Sequence, residues 1–312
     1  MGLHFDFVIG KTTLFPTIND PSSIDLSIIV PAYNEETRLP SMLKETIDFL
    51  EERRNRDPSY QYEIIVVDDG SKDKTSEVAL AHGKELLVGT LRVLTLGKIL
   101  LQTLSLVKIL STFLLFGFKI IQSILNPTAK NLGKGGAVRR GALVSRGDFV
   151  LFADADGATK FPDLVKLEAK LKSIRTDDGH GLVCGSRAHL EKDSIAQRSF
   201  FRTILMKGFH TCVWVFGCKS IQDTQCGFKL MSRETARVAF TSLHIERWAF
   251  DVELIKIAER LNIPTSEVSV CWTEIDGSKL DPISASIQMF KDLFFLWLRY
   301  FVGVWRIVEK ID

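Results

Sequence analysis

The segment LSIIVPAYNEE, residues 26–36, decides the fold class of this chain. Its aliphatic run stops abruptly at Pro, Asn and Glu, which is typical of a buried strand in a parallel sheet. The same pattern returns in IIVVDDGS, residues 64–71, and in FVLFADADG, residues 149–157. Ligands of open α/β sheets bind beyond the carboxyl ends of the strands. The three segments therefore predict one sheet edge that carries a cluster of carboxylates.

Segments with helical spacing of apolar residues alternate with these strands. The first predicted helix, residues 37–54, has Leu39, Leu43, Ile47 and Leu50 on one face. Further helices are predicted at 75–82, 135–145, 163–174 and 248–261, and further strands at 62–67, 91–96, 181–185 and 267–272. This alternation predicts an α/β fold with a mostly parallel central sheet flanked by helices.

Composition and charge exclude several classes of protein. The 312 residues carry a formal net charge of +2 without a long basic run, which excludes nucleic-acid binding through bulk charge. The five cysteines are odd in number and include no Cys-x-x-Cys pair, which argues against a disulfide framework or a zinc site. A reducing, cytosol-facing location fits this cysteine usage.

Three regions are predicted along the chain. Residues 1–25 form an irregular lead-in that lacks the basic stretch and apolar core of a signal peptide. Residues 26–280 form the main domain, and residues 281–312 form a C-terminal amphipathic helical segment. Charges interrupt this last segment, so it is a poor membrane span. Its many aromatic residues favour a helix in a membrane interface, with a helix packed on the core as the alternative.

The apolar stretch 99–130 does not fit the alternation of strands and helices. Its longest uncharged run, residues 109–118, has ten residues, well short of the roughly 20 that cross a bilayer. A helix or a helical hairpin at the surface or at a membrane is one interpretation. The stretch follows a predicted strand, at a point where a short connection is normal.

Asp154 and Asp156 give the strongest single chemical signal. Two carboxylates two residues apart at a strand end supply hard oxygen ligands, which suit Mg²⁺ or Mn²⁺ bound to a substrate phosphate. Such a metal offsets the charge that builds on a departing diphosphate. A capped turn is the alternative, because Asp is also favoured in turns.

Polar residues after the first two strands are candidates for the same ligand. Asp69 is placed to accept hydrogen bonds from a base or a ribose, and Asn34 and Glu35 are placed for similar contacts. The alternatives are an Asx turn at Asp68 and Asp69 and capping of the following helix by Asn34 or Glu35.

The segment NLGKGGA, residues 131–137, is a glycine-rich turn with one lysine. Its backbone amides and Lys134 are candidates to approach a phosphate at a helix start, although the spacing is not that of a P-loop. A loop that simply needs positive φ is the alternative.

Further charged candidates lie in the second half of the chain. Arg187, Arg198 and Arg202 are candidate phosphate clamps, with surface charge as the alternative. The segment DTQCGFK, residues 223–229, is polar inside an apolar region, which favours a site. The segment 246–251 starts a predicted helix and has Asp251, or Glu246, as the candidate to face an acceptor, with helix capping as the alternative.

Together these motifs resemble the family-2 nucleotide-sugar glycosyltransferases with the GT-A fold. The series runs VPAYNEE (30–36), VDDGSKDKT (67–75), NLGKGGA (131–137) and DADG (154–157). Later segments are similar to the members that transfer glucose from UDP-glucose to dolichyl phosphate: ADADGATKFP (153–162), GSRAHLE (185–191), DTQCGFK (223–229), ERWAFDVE (246–253) and WTEIDGSK (272–279). The resemblance makes residues 26–280 a catalytic domain with the GT-A fold.

The resemblance implies a role for each candidate residue in an inverting displacement at the anomeric carbon. It implies Mg²⁺ or Mn²⁺ as cofactor, UDP-glucose and dolichyl phosphate as partners, and the cytosolic face of the endoplasmic reticulum membrane as location. Donor binding falls to Pro31, Tyr33, Asn34, Glu35, Asp68, Asp69, Lys134 and Asp154, and metal binding to Asp154 and Asp156. Phosphate binding falls to Arg187, Arg198, Arg202 and Lys229, and catalytic roles fall to Asp156, Asp223 and Asp251.

The chain departs from that family pattern in two ways. Eukaryotic members usually carry an N-terminal membrane anchor, which this sequence does not show. The family also connects the third strand almost directly to the Gly-Lys-Gly turn, and Lys98 would join Asn131 smoothly. Residues 99–130 are therefore interpreted as an insertion, such as a retained intron would produce. Two functional alternatives stay open, GDP-mannose as the donor and a nucleotide-sugar binder without activity.

Overall fold

The computed structural model describes residues 5–8, 11–14, 16–84, 86, 90–96, 131–188, 217–275 and 282–308. The predicted insertion at 99–130 and the candidates Arg198 and Arg202 lie outside these residues. The strands are β1 (Phe5–Val8), β2 (Lys11–Leu14), β3 (Ile24–Ala32), β4 (Tyr62–Asp68), β5 (Leu91–Thr95), β6 (Gly147–Ala153), β7 (Leu182–Ser186), β8 (Phe228–Ser232) and β9 (Thr265–Ser269). The helices are α1 (Leu39–Arg56), α2 (Thr75–Gly83), α3 (Lys134–Leu143), α4 (Leu164–Ile174), α5 (Arg233–Ser242), α6 (Phe250–Arg260) and α7 (Pro282–Phe301).

Within the described residues, nine strands form one sheet in the order β2-β1-β5-β4-β3-β6-β8-β7-β9. The four central strands β5, β4, β3 and β6 are parallel. Strand β8 runs antiparallel between β6 and β7, and β9 pairs in parallel with β7. The predicted α/β fold with a mostly parallel sheet is confirmed. Parallel pairing brings the carboxyl ends of β3, β4 and β6 to the same edge of the sheet.

The central strands are apolar throughout because helices cover both faces of the sheet. Ile28 and Val30 of β3 pack on one face with residues of α1 and α4. Ile29 of the same strand points to the other face, where residues of α3, α5, α6 and α7 complete the core. Alternating residues of one strand thus enter two separate cores, which fixes the register of the strand.

Three parts of the chain differ from the sequence prediction. The lead-in at 1–25, predicted to be irregular, contains the antiparallel pair β1 and β2. Strand β8 and helix α5 were not predicted, because Lys229 interrupts the apolar run of β8. The late strand, predicted at 267–272, is shifted toward the N-terminus as β9. A charged residue inside a strand interrupts the apolar pattern that predicts the strand. The strand still forms because a partner that is distant in the sequence neutralises the charge.

A buried carboxylate ties the amino ends of the central strands together. Glu63 of β4 is fully buried, and its Oε2 accepts from Arg92 Nη1 at 2.6 Å and from Arg146 Nε at 2.9 Å. Its Oε1 accepts from Ser27 Oγ at 2.6 Å. The cluster joins β3, β4 and β5 to the turn before β6. It lies at the end of the sheet opposite to the acidic loops, so it serves stability rather than a ligand.

We expect Glu63→Ala to lower the free energy of unfolding by about 3–5 kcal/mol, because it removes the carboxylate that neutralises the buried Arg92. Urea denaturation at neutral pH measures the change. The matched control is Glu52→Ala on the exposed side of α1, which should change stability by no more than about 0.5 kcal/mol. Equal losses in the two variants would show that the cluster does not stabilise the sheet.

Candidate active site

Hydrogen bonds join the loop after β3 to the loop after β4 and to the start of α2. The backbone amide of Asn34 donates to Ser71 Oγ at 2.9 Å, and Asn34 Oδ1 accepts from the Lys72 amide at 2.8 Å. The Glu35 amide donates to Thr75 Oγ1 at 2.8 Å. Helix α1 has no side-chain cap at its N-terminus, so the capping alternative for Asn34 and Glu35 is wrong. Their bonds bridge two loops and hold them at the carboxyl end of the sheet.

The two neighbouring aspartates at the end of β4 have different environments. Asp68, the last residue of β4, is buried; one of its oxygens accepts from the Ser71 amide in the following loop at 2.7 Å, and the other accepts from Ser76 Oγ in the first turn of α2. The bond to Ser71 spans three residues, whereas an Asx turn closes over two, so the predicted Asx turn is not formed by Asp68. Asp68 shapes the loop from below rather than presenting a free carboxylate to a ligand.

Asp69 holds the glycine-rich turn in place. Its two oxygens accept from the Leu132 amide at 2.9 Å and from the Gly133 amide at 2.7 Å. Burial raises the pKa of Asp69, and the two amides oppose that rise. Asp69 thereby connects the loop after β4 to the start of α3, although 64 residues separate it from Gly133.

The turn places Lys134 at the mouth of the site. Gly133 adopts a φ of 90°, which favours glycine and lets α3 begin at Lys134. The Lys134 Nζ lies 2.6 Å from Asp154 Oδ1. Burial by itself would lower the pKa of Lys134, but the carboxylates of Asp154 and Asp251 raise it above its ordinary value. Lys134 is therefore a cation at neutral pH and faces the acidic loop after β6.

The acidic loop after β6 carries the Asp-x-Asp pair. The Asp154 amide donates to the Gly227 carbonyl at 3.0 Å, and Asp156 Oδ1 accepts from the Ala158 amide at 3.0 Å. Both aspartates are partly accessible to solvent. Burial raises the pKa of Glu35, the ion pair with Arg38 opposes that rise, and the charges of Asp156 and Asp154 add to it. Carboxylates of the loops after β3 and β6 are thus close enough to repel one another.

This donor set fits a divalent cation that shares its ligands with a substrate. Carboxylate oxygens are the ligands that Mg²⁺ and Mn²⁺ prefer. Within the described ranges, no group of three or more His, Cys, Asp or Glu side chains is arranged to hold a metal by itself. A metal at Asp154 and Asp156 would therefore take its remaining ligands from water and from phosphate oxygens, and it would relieve the repulsion with Glu35.

Arg187 forms a bidentate ion pair at the end of β7. Its Nε and Nη2 each lie 2.8 Å from a carboxylate oxygen of Asp223, whose Oδ2 also accepts from the Arg187 amide at 2.8 Å. The guanidinium lies 5.4 Å from the centre of the Trp272 ring. Burial by itself would raise the pKa of Asp223, but Arg187 holds it below its ordinary value. Asp223 thus fixes the orientation of the Arg187 guanidinium.

Lys229 and Asp251 form an ion pair beneath the site. Lys229 is fully buried, and its Nζ donates to Asp251 Oδ1 at 2.6 Å and to the Cys226 carbonyl at 2.6 Å. The expected phosphate contact of Lys229 is not made here, because a fully enclosed ammonium cannot touch a ligand at the surface. Asp251 is also buried and is not the cap of α6, so the capping alternative is wrong.

The remaining predicted residues lie at the rim. Pro31 is partly buried near the end of β3, and the side chain of Tyr33 is 42% exposed. Two further residues were missed from the sequence. Trp248 is 44% exposed and its ring centre lies 6.0 Å from Lys134 Nζ, and Gly227 packs directly against the Asp154 carboxylate. The polar character of segments 223–229 and 246–253 was the available signal, but it did not single out either residue.

The sequence profile of Glycosyl transferase family 2 matches residues 27–98 and 107–238. The chain is 54% identical to a dolichyl-phosphate beta-glucosyltransferase of Drosophila melanogaster, over 96% of this chain and 82% of that protein. The chain belongs to glycosyl transferase family 2, among the dolichyl-phosphate beta-glucosyltransferases. Proteins of the same description from Homo sapiens and Saccharomyces cerevisiae are 50% and 38% identical to it, over 96% and 95% of this chain and 83% and 81% of those proteins. The family predicted from the motifs is confirmed.

Solved structures of glucosyl-3-phosphoglycerate synthase from Mycobacterium tuberculosis share the fold. The complex with uridine diphosphate has a TM-score of 0.53 at 20% identity, over 88% of this chain and 79% of that one. A complex with Mn²⁺, UDP-glucose and phosphoglyceric acid has a TM-score of 0.53 at 19% identity, over 90% of this chain and 80% of that one. At this identity the likeness establishes the fold alone. The predicted GT-A fold is confirmed.

Gly227→Ala tests the placement of Asp154. A Cβ at residue 227 would lie 1.9 Å from Asp154 Oδ2, so the carboxylate must move. We expect the affinity for UDP in the presence of Mn²⁺, measured by calorimetry, to fall about tenfold, the effect of losing one charge-assisted contact. Gly83→Ala is the control, since its Cβ would lie at an ordinary 3.4 Å from Leu91. Unchanged affinity in Gly227→Ala would contradict the placement.

Proposed function

We propose that this protein transfers glucose from UDP-glucose to dolichyl phosphate with inversion, giving dolichyl β-D-glucosyl phosphate for N-glycan assembly. The observation that carries the proposal is the ion pair of Lys134 with Asp154, the first aspartate of the Asp-x-Asp pair, at the carboxyl end of β6. The similarity to dolichyl-phosphate beta-glucosyltransferases over nearly the whole chain supports the donor and the acceptor. Asn34, Glu35 and Asp69, in the loops after β3 and β4, supply the candidate contacts to uridine and ribose.

A divalent metal, Mg²⁺ or Mn²⁺, is part of the proposal. Asp154 and Asp156 would hold it, and it would offset the negative charge of the diphosphate when bound. Solved relatives in the GT-A fold contain Mn²⁺ together with UDP-glucose, which supports this choice. Lys134, now paired with Asp154, supplies a second positive charge at the same place, and Asp69 fixes the turn from which it projects.

The acceptor needs little help to act as a nucleophile. A phosphate monoester is largely ionised near neutral pH, because its second pKa is about 6. The protein therefore contributes mainly by holding the acceptor in line with the anomeric carbon and by excluding water. Arg187 is the described cation best placed to hold the acceptor phosphate, because Asp223 fixes its guanidinium in one plane. Asp223 and Asp251 then act as partners of cations rather than as general bases.

Helix α7 is proposed to lie on the membrane that holds the lipid acceptor. Leu293 and Leu296 anchor one face of the helix in the core, while Phe290, Phe295 and Phe301 are 47%, 49% and 71% exposed. Exposed aromatic and basic residues on one helix are typical of binding in a bilayer interface. Among the described residues, no helix combines the length and apolar character that a membrane crossing requires. The basic residues Lys291, Arg299 and Arg306 are exposed along this segment.

Helix α7 also lies beside the proposed site. Gln225 Nε2 donates weakly to Met289 Sδ at 3.9 Å, and Gln225 follows the Asp223 that orients Arg187. A lipid whose chain rests in the membrane under α7 would thus present its phosphate to the cleft.

We propose the cytosolic face of the endoplasmic reticulum membrane as the location. The free thiols of the described cysteines agree with a reducing compartment.

The direct test incubates purified protein with labelled UDP-glucose, Mn²⁺ or Mg²⁺ and a polyprenyl phosphate. We expect labelled glucose to enter the lipid phase only when metal and lipid phosphate are both present. Unlabelled UDP-glucose should compete and GDP-mannose should not. Transfer from GDP-mannose would reassign the donor, and metal-dependent UDP binding without transfer would reduce the protein to a nucleotide-sugar binder.

We expect Asp156→Asn to lower turnover by at least about 100-fold at saturating metal, because it removes a carboxylate that holds the cation. Asp251→Asn should reduce turnover less and stability more, since it leaves Lys229 buried beside a neutral amide. The control is Asp178→Asn, a change in an exposed turn. Turnover rates measured at equal amounts of folded protein decide which variant loses more activity. Equal losses in the variants of residues 156 and 251 would contradict the expected ranking.

Phe295→Asp tests the membrane surface. We expect about tenfold weaker binding to vesicles of phosphatidylcholine and phosphatidylserine in a sedimentation assay, because one ring no longer enters the interface. The matched control is Val165→Asp on α4, whose side chain is 53% exposed on another helix. Equal binding of the two variants would exclude α7 as the membrane surface. Protease protection of the protein in microsomes checks the side of the membrane.

A further inference from the structure

Glu253 is a buried carboxylate that lies outside the proposed catalytic machinery. It is fully buried in the first turn of α6, and its Oε2 accepts from the amides of His244 at 3.1 Å and Ile245 at 2.6 Å. Its Oε1 accepts from Tyr300 Oη at 2.9 Å and lies 3.0 Å from His244 Nδ1. One side chain thus joins the loop before α6 to the C-terminal helix α7.

The loop held by Glu253, residues 244–247, forms a wall against the turn that carries Lys134. Its carbonyl at Glu246 accepts from the Gly136 amide at 2.8 Å. The approach is so close that a Cβ at Gly135 would lie 2.7 Å from the Ile245 carbonyl oxygen. The position of the wall therefore sets the position of the first turn of α3. Glycines are needed in this turn for two reasons: the wall leaves no room for a Cβ, and the turn requires a positive φ.

The C-terminal segment holds the same wall from the other side. The rings of His244 and Trp305 are stacked, with centres 4.5 Å apart and an angle of 8° between their planes. Tyr300 meets His244 edge to face and is itself buried. The wall is thus clamped between α7 with its following segment and the start of α3. A displacement of α7 would move the wall and, through it, the turn that carries Lys134.

We propose that Glu253 is a positioning residue that couples the C-terminal helix α7, through the wall 244–247, to the turn that presents Lys134. The catalytic consequence rests on the proposed function, because Lys134 matters only where a diphosphate binds. The geometric coupling does not, since it concerns only the hydrogen bonds of this chain. A correctly positioned cation raises both the affinity for the donor and the rate of transfer. A displacement of about 1 Å is enough to lower the rate.

Tyr300→Phe removes the hydrogen bond between Glu253 and α7 and leaves the two amide bonds to Glu253 in place. The matched control is Tyr62→Phe, which removes a buried hydroxyl that donates to another carboxylate, Glu51, far along the chain from the wall. Hydrogen exchange followed by mass spectrometry reports on residues 132–137 without any substrate. We expect exchange there to become about tenfold faster in Tyr300→Phe and to stay unchanged in Tyr62→Phe.

The same pair of variants gives the catalytic readout. We expect the KM for UDP-glucose and the dissociation constant of UDP to rise about three- to tenfold in Tyr300→Phe, with the KM for polyprenyl phosphate unchanged. Glu253→Gln, which keeps the shape of the side chain, should give a smaller change of the same sign than Glu253→Ala. Equal exchange at 132–137 in the two Tyr variants would overturn the coupling. Faster exchange with no transfer by the wild type would retain the coupling and reject the proposed function.

Discussion

Several carboxylates lie close together at the carboxyl end of one sheet. Their mutual repulsion is the constraint on which the arrangement of the other charged residues in the site depends. Burial raises the pKa of Glu35, Arg38 opposes that rise, and the charges of Asp156 and Asp154 add to it. Lys134 neutralises Asp154 directly, and Arg187 neutralises Asp223 in a fixed bidentate geometry. Such an edge of the sheet favours the binding of one more cation. A metal ion bound to a diphosphate would supply that cation, and the diphosphate oxygens would be further ligands of the metal.

A second layer of charge lies beneath this surface. The buried pair of Lys229 and Asp251 places a carboxylate under Lys134, and that carboxylate helps to keep Lys134 protonated. Buried ion pairs contribute little net stability, but removing one partner is costly because the other stays desolvated. Of this pair, Asp251 raises the pKa of Lys134 and Lys229 opposes that effect.

Hydrogen bonds between loops and between loops and helices assemble the site. Asp69 holds the glycine-rich turn and Asn34 bridges to the loop after β4, and both bonds join segments that are distant in sequence. Glu253 of α6 holds the wall, the loop that directly precedes its own helix. Helix α7 takes part through Tyr300, so a surface suited to lipid and a turn suited to phosphate belong to one connected body.

The sequence by itself determined the α/β fold, the family and the loops that carry the chemistry, because strands buried on both faces must be apolar runs that end at polar turns. It also indicated Asp154, Asp156 and Lys134 as neighbours in a site. Only the tertiary structure decided that Lys229 is enclosed, that Asp68 serves its own loop, and that β8 runs between β6 and β7. The reason is physical: spacing along the chain predicts periodic burial, but the partner of a charge is set by distance in space, and Asp69 meets its partner 64 residues away.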